Sequence, residues 1–314
     1  MINFETLCKE IEQASQITIF RHVHPDWDAI GAQLGLKTWI KEHYPDKAVY
    51  ALGDPGTFVQ YEAYFDQVDD EAIASSLAIV VDCGNAERVD DARFQQAKQI
   101  IKIDHHPQVE HYGTLELVNE KAGATCEIIA NLFRCADIAL SQTCASFLYQ
   151  GLLMDTARFS IATTTKDSFL AAAYLCEAGI DLPKISEACI ALKLNTYAYV
   201  SYLRSCMRVY KDKIAYAIME QEDYEKMGLS FAQAKEFVYV FAHIEELSVW
   251  TLFTKEPNSD YYKGSLRSRS MQINDIASCY HGGGHALACG VSQLTKDSIM
   301  ELLETLYIRL MNEA

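Results

Sequence analysis

The sequence predicts an α/β protein of two domains: an N-terminal parallel sheet with helices on both faces, followed by a smaller α/β domain at the C-terminus. Three observations carry this. The 314 residues suit two cores, at roughly 100 to 200 residues per domain. Short β-rich runs alternate with helical patterns through the first half, as in βαβ units. Runs such as LAIVVD (77–82) and QIIKID (99–104) have almost no polar alternation, as strands buried on both faces do.

In chain order, the strands of the first domain are ITIFR (17–21), KAVYALG (47–53), LAIVVD, QIIKID and LELVN (115–119), with the helical DAIGAQLGLKTWIKEH (28–43) after the first. Beyond residue 122 the pattern turns helical through ATCEIIANLFR, CASFLYQGLLM and DSFLAAAYLCEAG, where Gly179 acts as a helix stop. No proline-rich linker follows, so the joint is placed on a helix. Residues 1–192 form the first domain, 193–204 a linker helix and 205–314 the second domain.

The second domain restarts with the strand IAYAIMEQ (214–221) and a helical SFAQAKEFVYVFAHI (230–244). SVWTLFTKEP (248–257) and YKGSLRSRS (262–270) form a hairpin around Asn258, Ser259 and Asp260. NDIASCYHGGGH (274–285) reads as a helix ended by its glycines, and KDSIMELLETLYIRLMNEA (296–314) as an amphipathic terminal helix.

Composition removes several classes. With 50% apolar residues and only 15 Gly and 6 Pro, extensive disorder and collagen-like structure are excluded. No apolar run approaches the roughly 18 residues of a membrane span. The opening MINFETLCKEIEQ carries Glu5, Lys9 and Glu10 where a signal peptide needs an apolar core. A cytoplasmic protein with no membrane partner is expected. The ten cysteines form no CxxC pair, and Cys176, Cys189 and Cys279 sit among apolar helical residues, so reduced, buried thiols are expected. The net charge of −16 argues against a protein that coats long nucleic acid through a basic face. Any phosphate-bearing ligand must be held locally.

The chemistry-bearing residues fall at or just beyond strand and helix ends. His22, His24, Asp26 and Asp28 follow ITIFR; Asp82 ends LAIVVD; Asp104, His105 and His106 end QIIKID; Asp155 follows the helix ending in GLLM. In open parallel sheets this edge is where ligands bind. Singly, each has an ordinary explanation. An Asp at a strand end is usually a turn or cap residue, and adjacent His105 and His106 would point to opposite faces of a strand, leaving one to surface or packing duty.

Convergence of four clusters on one edge shifts the balance, because several carboxylates gathered together are costly without a cation. Asp26, Asp28, Asp82 and Asp155 carry a charge that two dications would balance, so the loaded site accepts phosphate. A mixed imidazole and carboxylate set suits Mn²⁺ better than an all-oxygen Mg²⁺ or Ca²⁺ cage, and the absence of cysteine argues against structural zinc. Two such ions are suited to activating water for attack on a phosphoester.

HVHPDWDAIGA (22–32), VVDCGN (80–85), IDHHP (103–107) and MDTARFS (154–160) resemble, in order, the four motifs of the DHH-superfamily phosphoesterases. GSLRSRS (264–270) and HGGGHALACG (281–290) resemble the DHHA1 domain that accompanies them. The resemblance spans nearly the whole chain and points to the stand-alone bacterial members of nano-RNase type. It implies a hydrolase that degrades very short single-stranded RNA or DNA and dephosphorylates 3′-phosphoadenosine 5′-phosphate (pAp), with no long duplex as partner. It also implies two divalent ions, Mn²⁺ first, with Mg²⁺ or Co²⁺ as alternatives. One ion would be held by His22, Asp26 and Asp82, the other by Asp28, Asp82, His105 and Asp155, with Asp82 bridging.

By the same resemblance, His106 would face the scissile phosphate and either stabilise its charge or protonate the leaving oxygen, while Asp104 would orient the imidazoles. His24 stays open between a metal or phosphate contact and a packing role. Ser265, Arg267, Arg269, Gly282, Gly283, Gly284 and His285 would form the substrate-binding face. There Arg267 and His285 would take the terminal phosphate, with the glycines letting backbone N–H groups approach an anion. Ala32 stands where the family motif commonly has Ser, a departure that bears on helix packing or capping and not on metal binding. A homodimer through the apolar helices of 141–178 is left open. So are the same chemistry on cyclic di-AMP or its linear product pApA, and a non-catalytic nucleotide sensor.

Overall fold

The computed structural model describes residues 3–313; Met1, Ile2 and Ala314, at the ends of the two expected domains, lie outside the described residues. The chain divides into two compact units after Ala191.

The first unit runs α1 (Phe4–Gln13), β1 (Gln16–Phe20), α2 (Trp27–His43), β2 (Ala48–Ala51), α3 (Asp70–Ala74), β3 (Leu77–Val81), β4 (Gln99–Asp104), β5 (Leu115–Val118), α4 (Thr125–Cys135), α5 (Gln142–Asp155), α6 (Lys166–Glu177) and α7 (Leu182–Ile190). Its five strands form an all-parallel sheet in the order β2-β1-β3-β4-β5. Because the order reverses between β1 and β3, the loops leaving those two strands part and open a crevice at the carboxyl edge.

Burial follows the strand period. Ile79 and Val81 of β3 join a core with Leu7 and Ile11 of α1, Leu36 of α2, Phe133 of α4 and Leu148 of α5. The alternate residues Ala78 and Val80 pack on the other face with Ile73 of α3 and Phe94. Both faces are thus covered, the second by short helical turns. α1 is not among the expected elements; its capping signal is Asn3, whose side chain accepts the Thr6 N–H.

Small residues set the closest approach in this unit. A Cβ on Gly31 of α2 would stand 2.5 Å from the Phe147 carbonyl of α5. One on Gly151 of α5 would stand 2.4 Å from Cys126 Sγ and 2.8 Å from Asp28 Oδ1. Ala32 is fully buried in the same core.

The second unit runs α8 (Leu194–Ser205), β6 (Arg208–Tyr210), β7 (Ile214–Met219), α9 (Gln221–Glu225), α10 (Phe231–Ala234), β8 (Val249–Lys255), β9 (Tyr262–Ser268), α11 (Asn274–Ser278), β10 (Gly283–His285), β11 (Ala288–Leu294) and α12 (Lys296–Glu313). Its sheet has the order β10-β11-β9-β8-β7-β6, antiparallel except for β7 beside β8. α8 packs Tyr199, Val200 and Leu203 against Phe241 and Leu252, within this unit's own core.

The expected β8–β9 hairpin forms, with Asn258 at φ 53° in its turn. Two local expectations fail. The helix expected over 230–244 breaks after four residues into a 3₁₀ stretch, Lys235–Phe241, with non-helical dihedrals at Phe237. The glycine run is not a helix-ending loop: α11 stops at Ser278, and Gly283–His285 pair with β11 as a strand. Three glycines carry no side-chain alternation from which a strand is legible, and a Cβ at Gly282 would meet the Gly290 carbonyl at 2.1 Å. All ten cysteines are free, as expected, but only Cys83, Cys126, Cys144 and Cys289 are buried; Cys176 and Cys189 are half-buried, and Cys135 and Cys279, at helix ends, are exposed. Among the described residues, no helix is long and apolar enough to cross a membrane.

Candidate metal centre

The side chains at the carboxyl edge of the first sheet converge. Three overlapping groups have donor atoms within 4.8 Å of one another: His22 with Asp26 and Asp82, Asp28 with His105 and Asp155, and Asp82 with His105 and His106. Each of the six residues expected as ligands falls in at least one group. Asp82 falls in two. Its Oδ2 lies 3.4 Å from Nε2 of His22, and its Oδ1 lies 3.5 Å from Nε2 of His105. Nε2 of His105 is also 3.2 Å from Asp155 Oδ2 and 4.0 Å from Asp28 Oδ2.

Backbone and helix ends fix these positions. Asp82 adopts φ 54° at the end of β3, a left-handed conformation that costs a non-glycine residue about 1 to 3 kcal/mol and persists only where the surroundings impose it. Asp26 caps α2, its Oδ1 accepting the N–H groups of Asp28 and Ala29 at 3.0 Å each. Asp28, buried in the first turn of α2, accepts the N–H of Thr125 at 2.6 Å and of Cys126 at 2.9 Å. It therefore meets the positive end of α4. The Thr125 hydroxyl donates to Asp82 Oδ1 at 3.1 Å.

Both core imidazoles are oriented alike. Nδ1 of His22 bonds the Val23 carbonyl at 2.8 Å and Nδ1 of His105 the Ala122 carbonyl at 3.3 Å, so each ring presents Nε2 to the carboxylates. A carbonyl on the far nitrogen is the support that metal-binding histidines characteristically have. The ordinary explanation, in which His105 and His106 point to opposite faces of a strand, does not apply here. β4 ends at Asp104, so both histidines lie beyond the strand, where its alternation no longer applies, and each has a ring nitrogen 3.5 Å from Asp82 Oδ1. Asp104 Oδ1 accepts from His106 Nδ1 at 2.8 Å and from the His106 N–H at 3.2 Å.

Electrostatics test whether these residues fit a cation. Burial, reinforced by the charge of Asp82, pushes the Asp28 carboxyl well above its ordinary range. Burial and Asp28 do the same to Asp155. Burial would depress His22, but the carboxylates of Asp26 and Asp82, which accept from its protonated ring, outweigh it and raise the imidazole to about 10. His105 is raised against burial by Asp28, Asp82 and Asp155. Without a cation, protons must neutralise the cluster. A divalent ion would replace them, and the carboxylate and imidazole donors fit that role.

Other expected residues lie elsewhere. His24, at φ 53°, is exposed and outside the three donor groups. In the second unit, Arg267, Ala288 and His285 stand in register across β9, β11 and β10, which puts Arg267 and His285 on one face with a small residue between them. Ser265 shares that face, in register with Gly290 and Gly283. Arg269 lies past the end of β9 and donates to the Ile244 carbonyl at 2.8 Å.

The sequence reading misses two supports. Thr125 signals itself only as a hydroxyl residue opening α4. Arg21 is fully buried and donates to Asp90 Oδ2 at 2.8 Å, to the His22 carbonyl at 3.0 Å and to the Asp54 carbonyl. It ties together the loops that follow β1, β2 and β3.

Comparison with known proteins identifies the family. Residues 16–152 match the model of the DHH family, N-terminal domain, and residues 211–311 that of the DHHA1 domain. The chain is 34% identical to the probable bifunctional oligoribonuclease and PAP phosphatase NrnA of Streptococcus mutans, over 93% of this chain and 94% of the relative. It is 31% identical to the bifunctional oligoribonuclease and PAP phosphatase NrnA of Bacillus subtilis, over 96% and 97%. In fold it is similar to an exopolyphosphatase-related protein from Bacteroides fragilis, with a TM-score of 0.88 and 23% identity over 99% of this chain and 97% of that one. The chain belongs to the DHH family of phosphoesterases, and its second unit carries the DHHA1 domain.

Proposed function

We propose that this protein is a metal-dependent hydrolase that degrades oligoribonucleotides of a few residues to mononucleotides and removes phosphate from pAp. The observation that carries the reading is Asp82, a buried carboxylate whose two oxygens face His22 on one side and His105 on the other. In this reading His22, Asp26 and Asp82 hold one divalent ion, and Asp28, Asp82, His105 and Asp155 hold a second, with Mn²⁺ the ion best suited to the mixed donors. Bound there, the ions supply Lewis-acid polarisation of a phosphoryl oxygen and activation of water near neutral pH.

The chain's own groups do the rest. Thr125 and the first turn of α4 hold Asp82 and Asp28 in place. His106, with Nδ1 committed to Asp104, serves the reacting phosphate through its other ring nitrogen, stabilising charge or giving a proton to the leaving oxygen. In the second unit, Arg267 and His285 take a terminal phosphate, supported by their shared face and by the capacity of Arg for bidentate contact. Short substrates are favoured because a chain of net charge −16 offers little electrostatic hold on a long polyanion. The likeness to the two NrnA relatives supports the same substrate class.

The test is mononucleotide and phosphate release in Mn²⁺ from pAp, from RNAs of two to five residues and from a long RNA. Turnover of pAp and the short series, falling steeply with length, is expected. Equal rates on long RNA would overturn the short-substrate reading, and turnover of cyclic dinucleotides alone would move the substrate assignment.

A further inference from the structure

Beneath the candidate centre lies a buried charge that the mechanism above leaves unused. Lys102, within β4, is 0% exposed, and a buried ammonium is costly unless it is paired and hydrogen-bonded. Its Nζ donates to the Gly84 carbonyl at 2.9 Å and reaches the Glu110 carbonyl at 3.4 Å. It lies 3.4 Å from Asp104 Oδ2 and 4.7 Å from the centre of the Tyr112 ring. Gly84 belongs to the loop that carries Asp82, and Glu110 to the loop beyond His106. Asp104, also 0% exposed, spends Oδ1 on His106 twice, through ring and backbone. Among the described residues its Oδ2 has no hydrogen-bond partner, and the ammonium, 3.4 Å away, is the charge that faces it.

We infer that Lys102 is a positioning residue for His106. With only Oδ1 engaged, the Asp104 carboxylate could turn about its last side-chain bond. The ammonium on Oδ2 fixes the carboxylate plane, and its two carbonyl contacts fix the loops on either side. The ring of His106 is thereby held with Nδ1 on Asp104, in a fixed orientation at the edge of the centre. A sequence pattern cannot show this, because a lysine inside an apolar strand reads as an outward-facing residue. The inference rests on the proposed function for the part His106 plays, but the Lys102–Asp104–His106 arrangement does not depend on it.

The test compares Lys102→Met, Asp104→Asn and the double variant with wild type. Lys102→Met is expected to lower kcat roughly 10- to 100-fold, the usual effect of removing a group that orients a functional side chain, with KM and metal stoichiometry unchanged. The loss should be larger for a nucleotide leaving group than for p-nitrophenolate, which needs no proton. Adding Lys102→Met to Asp104→Asn should cost no further activity. A loss carried by KM or metal content, or one that multiplies in full in the double variant, would overturn the inference.

Should Lys102→Met fail to fold, the double variant removes both buried charges together and is the better-tolerated comparison with Asp104→Asn. A further readout needs neither metal nor turnover: the His106 Nδ1–H resonance in the nitrogen-edited NMR spectrum of the metal-free protein. It should be present in wild type and lost in Lys102→Met, where Asp104 remains to accept it; persistence unchanged would overturn the inference. Absence of turnover by wild type would sink the proposed function, while this resonance would still decide the role of Lys102.

Discussion

Oδ1 of Asp82 lies 3.5 Å from Nε2 of His105, joining the ends of β3 and β4, while the other oxygen of the same carboxylate faces His22 at the end of β1. One residue thus belongs to two of the three donor groups and, in the proposed function, to both ion sites. Asp82→Asn should therefore weaken both ions together and lower turnover more than about 100-fold, beyond the usual cost of a supporting residue. Asp26→Asn should affect one ion first. Metal content after dialysis against Mn²⁺ checks this; loss of a single ion in Asp82→Asn would contradict the shared role.

Metal binding should release protons. The His22 imidazole is raised to about 10, against burial, by Asp26 and Asp82, and Asp28 and Asp155 are raised by burial and neighbouring charge. At pH 7 the empty cluster holds protons that a cation must displace, so affinity should rise with pH. The sign for stability follows from His22. The stabilisation from its protonated form is fully present below the unfolded value near 6.5 and is lost as pH rises toward about 10. The metal-free protein should lose thermal stability across that window, and Mn²⁺ should suppress the loss. Calorimetric titration in buffers of different ionisation heat measures the protons; a heat independent of buffer would contradict the prediction.

Gly151→Ala places a Cβ 2.4 Å from Cys126 Sγ and 2.8 Å from Asp28 Oδ1. The expected cost is about 1 to 3 kcal/mol from overpacking. Weaker metal binding should accompany it, since Asp28 must move. Urea unfolding and metal titration together check this; a stability loss with unchanged affinity would separate Asp28 from the centre.

Ala157, Arg158 and Phe159 follow Asp155 with φ of 44°, 61° and 64°, three successive left-handed residues without a glycine. Each left-handed non-glycine residue costs roughly 1 to 2 kcal/mol. Ala157→Gly should relieve one and, after the greater unfolded-state freedom of glycine, leave a net gain of about 0.5 to 1 kcal/mol. Urea unfolding would read a raised midpoint, and a lowered one would contradict the strain.

Arg267→Ala should raise KM for pAp about 10-fold or more, the size of a lost charge-assisted contact, without changing metal content. Steady-state kinetics with parallel metal analysis decide it. An effect on kcat alone would place Arg267 elsewhere in the reaction.

The centre was legible where residue type and strand end coincide. LAIVVD and QIIKID read as buried strands because they lack alternation, and Asp82 and His105 stand where those runs stop. The joint approach of His105 and His106 to Asp82 was not legible, since it depends on β4 ending at Asp104. Arg21, Lys102 and Thr125 were missed for a related reason. In sequence they are ordinary strand and helix residues, and only the folded chain shows whose carbonyl or carboxylate they reach. β10 was hidden because its glycines carry no pattern to read.

The most direct measurement is phosphate release from pAp in Mn²⁺, by wild type and by Asp82→Asn, each verified as folded. Rapid, metal-dependent release by wild type that disappears on chelation and in the variant is the predicted result. Release that survives in Asp82→Asn, or that proceeds equally after complete metal removal, would contradict an active centre built on that shared carboxylate.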